Sequence, residues 1–213
     1  AFNRNGDAPI TNARAAVMRV GYRSLQTLVA SLVVRQFGTR IVDPAIRAKA
    51  EQLWEHTANV AALAQVIAKR VTFVNPDTAV FAAIMHEVGG FYLLSRADEF
   101  PGLLDEDPEK WSELCEEVVS REVLAKLSVP EPVRGAIEAL RDGWLSMPPS
   151  TLLDTLILAN QFSPVPSPLA TPVSDMPLHE DSVLDFVLDG DTLESILKES
   201  ADEVKSMSTA LLV

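Results

Sequence analysis

His86 and Glu87 stand side by side in an otherwise oily run, AAIMHEVGG, at residues 82–90. An imidazole next to a carboxylate can ligate a divalent cation, exchange a proton, or simply satisfy a polar need inside a core. Two other polar residues fall on apolar stripes elsewhere. In one segment Leu53, Val60, Leu63 and Ile67 recur at helical spacing, and the member missing between 53 and 60 is His56. In the segment carrying the quoted run, Val80, Ile84, Phe91 and Leu94 form the stripe, and Glu87 fills its gap. His86 is then turned about 100° away around a helix of 3.6 residues per turn. Further on, Leu153 and Leu156 lead at the same spacing to Asn160. The spacing predicts three helices, each with one polar group facing inward.

A buried carboxylate is costly unless paired, so Glu87 needs a histidine, a cation, a metal or a proton. Two arrangements satisfy it. A single inward histidine is most often a hydrogen-bonded core residue, and the cluster can close on itself through hydrogen bonds. Alternatively, one metal ion would use His56, His86 and Glu87 together. Gly89 and Gly90 fit close approach of a neighbouring element where a side chain would not go.

The elements that must position these residues are helical. Strand alternation never persists, and the pattern predicts an all-α protein, a multi-helix bundle. Thr11 or Asn12 caps a short helix ending at Gly21, and a more apolar helix follows over residues 22–37. Asp-Pro opens helices at Asp43 and Asp107, and Asn75 with Pro76 opens the helix carrying His86 and Glu87. Further helices are expected over residues 131–142, 150–162, 181–188 and 191–212. Five of the fourteen prolines fall in SPVPSPLATPVSDMP, which disfavours helix and reads as a connection. The expected organisation is a helical core over 1–162, a proline-rich connection over 163–180, and C-terminal helices over 181–213 that pack on the core through their apolar faces.

Bulk properties narrow the function. With 213 residues and 47% hydrophobic content the chain can bury a sizeable core. Eighteen basic against thirty acidic residues, a net charge of −12, argue against binding nucleic acid, whose affinity rests on Lys and Arg clusters. Lone Cys115 excludes an intramolecular disulfide framework and fits a reducing, cytoplasmic compartment. Its acidic neighbours argue against a reactive thiolate. The oiliest run, residues 25–34, is interrupted by polar residues, so no membrane span is expected. Trp54, Trp111 and Trp144 are too scattered for a stacking platform, and His179 is expected at the surface.

LWEHTANVAALAQVIAKR followed by NPDTAVFAAIMHEVGGFYLL resembles the HDOD domain, a branch of the HD superfamily of metal-dependent phosphohydrolases found in bacterial signalling proteins. ITNARAAVMRVGYRSLQTLVASLVVRQFG is similar to the family's preceding segment, and LDTLILANQF to its late helix. In active HD enzymes the ligands are a His, an adjacent His-Asp pair and a distant Asp. The resemblance therefore implies that His56 and His86 match the histidines, that Glu87 replaces the paired Asp, and that Asn160 replaces the last Asp. One change lengthens a ligand arm by a methylene, and the other removes a charge that would neutralise a dication. No histidine follows between residues 87 and 178 for a second metal. It also implies further helices ahead of residue 1, as in a fragment that starts inside the domain.

These residues lead to a non-catalytic signal-transduction module, acting through contacts with signalling proteins or fused input domains, with no cofactor expected and a single weakly held divalent metal as the alternative. Two other functions compete with it: a metal-dependent phosphohydrolase acting on a nucleotide or phosphoester, and a nucleotide-binding regulatory domain using the vacated pocket.

Overall fold

The structure is a computed structural model, described here for residues 22–38, 41–100, 118–169, 187–188 and 191–212. The expected helix before Gly21, the Asp107 start, Cys115, Trp111, His179 and most of the proline-rich stretch lie outside these residues. The architecture is helical: α1 Tyr22–Gly38, α2 Pro44–Arg70, α3 Pro76–Met85, α4 Val88–Arg96, α5 Ser120–Lys126, α6 Glu131–Glu138 and α7 Leu152–Gln161, then α8 Leu193–Glu199 and α9 Ala201–Leu212. The one sheet among the described residues is a two-residue antiparallel ladder, β1 Val187–Leu188 against β2 Asp191–Thr192, pairing Val187 with Thr192 and Leu188 with Asp191.

The axis of the bundle is α2, packed by α3 and α7 and, along much of its length, by α9. Its start is fixed locally. Asp43 accepts hydrogen bonds from the amides of Ala45 and Ile46, at 2.7 and 3.2 Å, with Pro44 in the first turn. Lys69 and Arg70 lie in its last turn, favourable at the negative end of the helix dipole. Being surrounded, α2 buries residues all round, among them Leu53, Val60, Leu63 and Ile67, together with His56. Each large aliphatic side chain so buried contributes on the order of 1.5–3 kcal/mol. The turn from α2 to α3 passes through Phe73, which is exposed and has φ 55°, a left-handed conformation that costs a non-glycine residue about 1–2 kcal/mol. Asn75 then caps α3 by accepting from the Thr78 amide at 2.9 Å.

Three expectations change. The helix expected to run unbroken through His86 and Glu87 is interrupted there, with α3 ending at Met85 and α4 starting at Val88. Taken end to end, Pro76–Arg96 has the length and apolar content of a membrane span, but it is mostly buried in the bundle, as a core helix is. The helix expected over 131–142 ends at Glu138. The C-terminal segment is not one helix over 191–212. Residues 187–188, expected to be helical, are in the ladder, and α8 and α9 are separate elements broken at Ser200. Ser200 is buried and its hydroxyl accepts from Arg70 Nη1 at 3.0 Å. Ser200-Ala-Asp-Glu203 also has the spacing of a helix start, which favours beginning a new helix over continuing the old one.

Candidate metal centre

Three elements bring the cluster together. His56 projects from the middle of α2 and is 2% exposed. His86 and Glu87 occupy the break between α3 and α4, their side chains 4% and 18% exposed. Glu87 has φ −101° and ψ 13°, the sparsely populated bridge region in which many active-site residues sit. That local departure from helix explains why the periodicity misplaced His86. A regular helix would turn it 100° from Glu87, whereas the break lets both side chains point at His56.

The nitrogens are oriented by backbone carbonyls. His56 Nδ1 lies 2.7 Å from the Val165 carbonyl, and His86 Nδ1 lies 2.6 Å from the Ala83 carbonyl. A carbonyl only accepts, so each Nδ1 carries the proton and donates it, and each Nε2 is left with a lone pair. The two Nε2 atoms face each other at 3.4 Å, and Glu87 Oε1 stands 3.9 Å from His56 Nε2 and 4.0 Å from His86 Nε2. All three ligand atoms lie within 4.8 Å of one another. Burial, the strongest influence, pulls the His86 imidazole below its ordinary value. Glu87 pushes it up, His56 pushes it down, and the Ala83 carbonyl pushes it up. The net result keeps the ring neutral, its ligating form.

This donor set fits a divalent ion. Metal–ligand bonds of about 2.0–2.2 Å put neighbouring ligands of a tetrahedral centre roughly 3.3 Å apart. The two nitrogens already have that separation, and the Glu87 carboxylate needs to close by only about 0.6 Å. Imidazole hydrogen-bonded to a carbonyl through its other nitrogen is the usual way a protein fixes a metal-ligating histidine. Two lone pairs facing each other at 3.4 Å are satisfied by a cation between them. His2Glu is a known zinc donor set.

Asn160 is exposed, whereas the spacing from Leu153 and Leu156 predicted an inward position; the buried residues of α7 run from Asp154 to Ala159. The reason is the end of the helix. Beyond Gln161 the chain turns back, with the Phe162 and Ser163 amides donating to the Asn160 carbonyl, which leaves the last stripe member on the rim.

The residues that sequence periodicity missed follow directly. Residues 163–169, the described part of the proline-rich stretch, lie against the cluster as a strap. Val165 holds His56, Ser163 Oγ donates to the same carbonyl at 2.9 Å, and Gln52 Nε2 donates to the Pro166 carbonyl at 3.1 Å. Leu169 comes against Gly90, where an added Cβ would lie 2.5 Å from Leu169 Cδ1 and 3.4 Å from Glu87 Oε2. A side chain at Gly90 would have to push the end of Leu169 aside. A backbone carbonyl leaves no signature in residue type. The only available signal was the alternation of Pro164, Pro166 and Pro168 immediately after α7.

A helical bundle with two histidines and an adjacent carboxylate converging between its helices defines the HD-like class of fold. The family profile for the HDOD domain matches residues 4–128. The chain belongs to the HDOD domain family. Among solved structures, its fold is similar to that of a crystal structure described as "Putative metal-dependent phosphohydrolase" from Shewanella amazonensis SB2B. The two share 20% sequence identity at a TM-score of 0.69, over 97% of this chain and 75% of that one. Comparison with curated protein sequences returns no match.

Proposed function

We propose that this chain is a regulatory HDOD module that acts through contacts with signalling proteins in a reducing, cytoplasmic setting. In this reading His56, His86 and Glu87 hold one divalent cation as a structural or sensing centre. The observation that carries it is closure. The side chains of His56 and His86 are almost wholly buried, and the strap closes over the outer edge of the His56 ring, with Val165 held on Nδ1. Asn160, standing where an acidic ligand is expected, is exposed and uncharged. A two-metal clamp of the kind that stabilises in-line displacement needs ligands beyond these three, and none joins the group among the described residues.

A phosphohydrolase is the second reading, favoured by the orientation of the two imidazoles. A bound metal would there supply Lewis acidity and an activated water, with His56, His86 and Glu87 as its protein ligands. Metal content of the purified chain, followed by hydrolysis of bis(p-nitrophenyl) phosphate with added manganese, separates the two. Stoichiometric metal without turnover is expected. Turnover that disappears in His86→Ala would overturn the regulatory reading. Warming scans with nucleotides test the remaining nucleotide-binding alternative, since a ligand specific to the folded state raises Tm.

A further inference from the structure

His56 has two faces, and they look at different parts of the protein. Its Nε2 looks into the cluster, towards His86 and Glu87, and its Nδ1 donates to the Val165 carbonyl of the strap. One aromatic ring thus separates a candidate cation from a backbone hook. A cation at Nε2 draws electron density from the ring and makes Nδ1–H a stronger donor, and a good acceptor at Nδ1 makes Nε2 a better ligand.

The strap is built to respond to that one bond. Prolines at 164, 166 and 168 fix φ and supply no amide hydrogens, so the segment is stiff yet makes few hydrogen bonds of its own. Among the described residues its attachments include the His56 hook, with Ser163 Oγ also 3.4 Å from the same Nδ1, the Gln52 bond one helical turn earlier on α2, the Ser163–Val165 turn and the Leu169 contact at Gly90. At its N-terminal end it is continuous with α7.

We infer that residues 163–169 form a sensing strap: its docking and the loading of the His56–His86–Glu87 cluster with a divalent cation are coupled through the His56 ring, each strengthening the other. The inference rests on the regulatory reading of the cluster and names how its occupancy would be passed on. By linkage, the factor by which the cation tightens the strap equals the factor by which the docked strap tightens the cation. Loss of an orienting outer partner typically costs about 10–100-fold in metal affinity, which sets the scale.

The test uses the full chain with Zn2+ as the probe. Titration calorimetry measures Zn2+ affinity, and hydrogen–deuterium exchange follows the Val165, Ser167 and Leu169 amides with and without Zn2+. Saturating Zn2+ should slow exchange of these amides about tenfold. The Gln52→Ala/Leu169→Asn double variant, which leaves all three ligands intact, should bind Zn2+ about tenfold more weakly at unchanged helical content. Should that variant fail to fold, Gln52→Ala alone carries the comparison, with a smaller loss in the same direction. A role for the strap in packing alone would not make its exchange depend on Zn2+. Zn2+ binding with unchanged strap exchange and unchanged affinity in the variants would overturn the coupling and leave the metal centre standing. No Zn2+ binding by the unaltered chain would overturn both.

Discussion

Asp154 and Glu87 are two carboxylates in the same bundle, and they are treated in opposite ways. Asp154, near the start of α7, is 1% exposed and saturated with donors. It accepts from the Ser146 amide at 2.8 Å and hydroxyl at 2.6 Å, the Ser150 amide at 3.0 Å, and the Thr151 amide at 2.8 Å and hydroxyl at 2.7 Å. With Thr151 accepting from the Asp154 amide, this is a capping box that also ties down the loop before the helix. Glu87 instead stands 3.9 and 4.0 Å from two imidazole nitrogens, beyond hydrogen-bond range, at the break between two helices. A carboxylate whose lone pairs are all used is structural. One held near two other lone-pair donors with its own uncommitted is available for a cation.

The largest contrast is expected from removing each. Asp154→Ala strands several donors around a buried site and should destabilise the fold by about 3–5 kcal/mol, read from the urea midpoint. Burial alone would raise the Asp154 carboxyl, but hydrogen bonds from the Ser146 hydroxyl and amide, the Ser150 amide and Thr151 outweigh it and hold the group below its ordinary value of 3.8. Because the folded value is the lower one, its stabilisation is fully present above the unfolded value and is lost as pH falls through the folded one. Asp154→Asn should therefore flatten the acid limb of the stability curve. If that limb is unchanged, the donors around Asp154 are not what stabilises the loop.

Next in size is the cation. Zn2+ at about one hundred times its Kd should stabilise the fold by roughly 2.7 kcal/mol, seen as a raised Tm, and Glu87→Ala or His86→Ala should abolish that gain. A full response in Glu87→Ala would place the ion elsewhere and break the contrast. Smaller again is Phe73→Gly in the turn between the helices that carry His56 and His86. Relief of the left-handed strain, less the added chain entropy of glycine, should stabilise by about 0.5–1 kcal/mol in denaturant titrations. The smallest effect belongs to Glu87→Gln without metal, expected to stay within about 0.5 kcal/mol of the unaltered chain, as is usual for substitutions that remove no committed contact. A loss of several kcal/mol there would make Glu87 as structural as Asp154.

Much of the fold was readable because it is dictated locally. The Asp43-Pro44 and Asn75-Pro76 starts are chemistry of neighbouring residues, and both helices begin where those residues require. His56 was readable for the same reason: α2 is regular, so a gap in its stripe is a position in space. Where the backbone leaves its regular period, extrapolation failed. The break at Glu87 turned His86 inward, and the end of α7 left Asn160 on the rim.

The sequence by itself determined the residue types able to hold a cation, the helices that carry them and the family those helices belong to, because side-chain chemistry and helical period are properties of short stretches. Only the tertiary structure decided that His56, His86 and Glu87 converge, that both histidines present Nε2 to the same point, and that a proline-rich segment over a hundred residues away supplies the carbonyl orienting one of them. Those are contacts between distant parts of the chain, one made through backbone atoms common to every residue, and their distances are set by how the bundle packs.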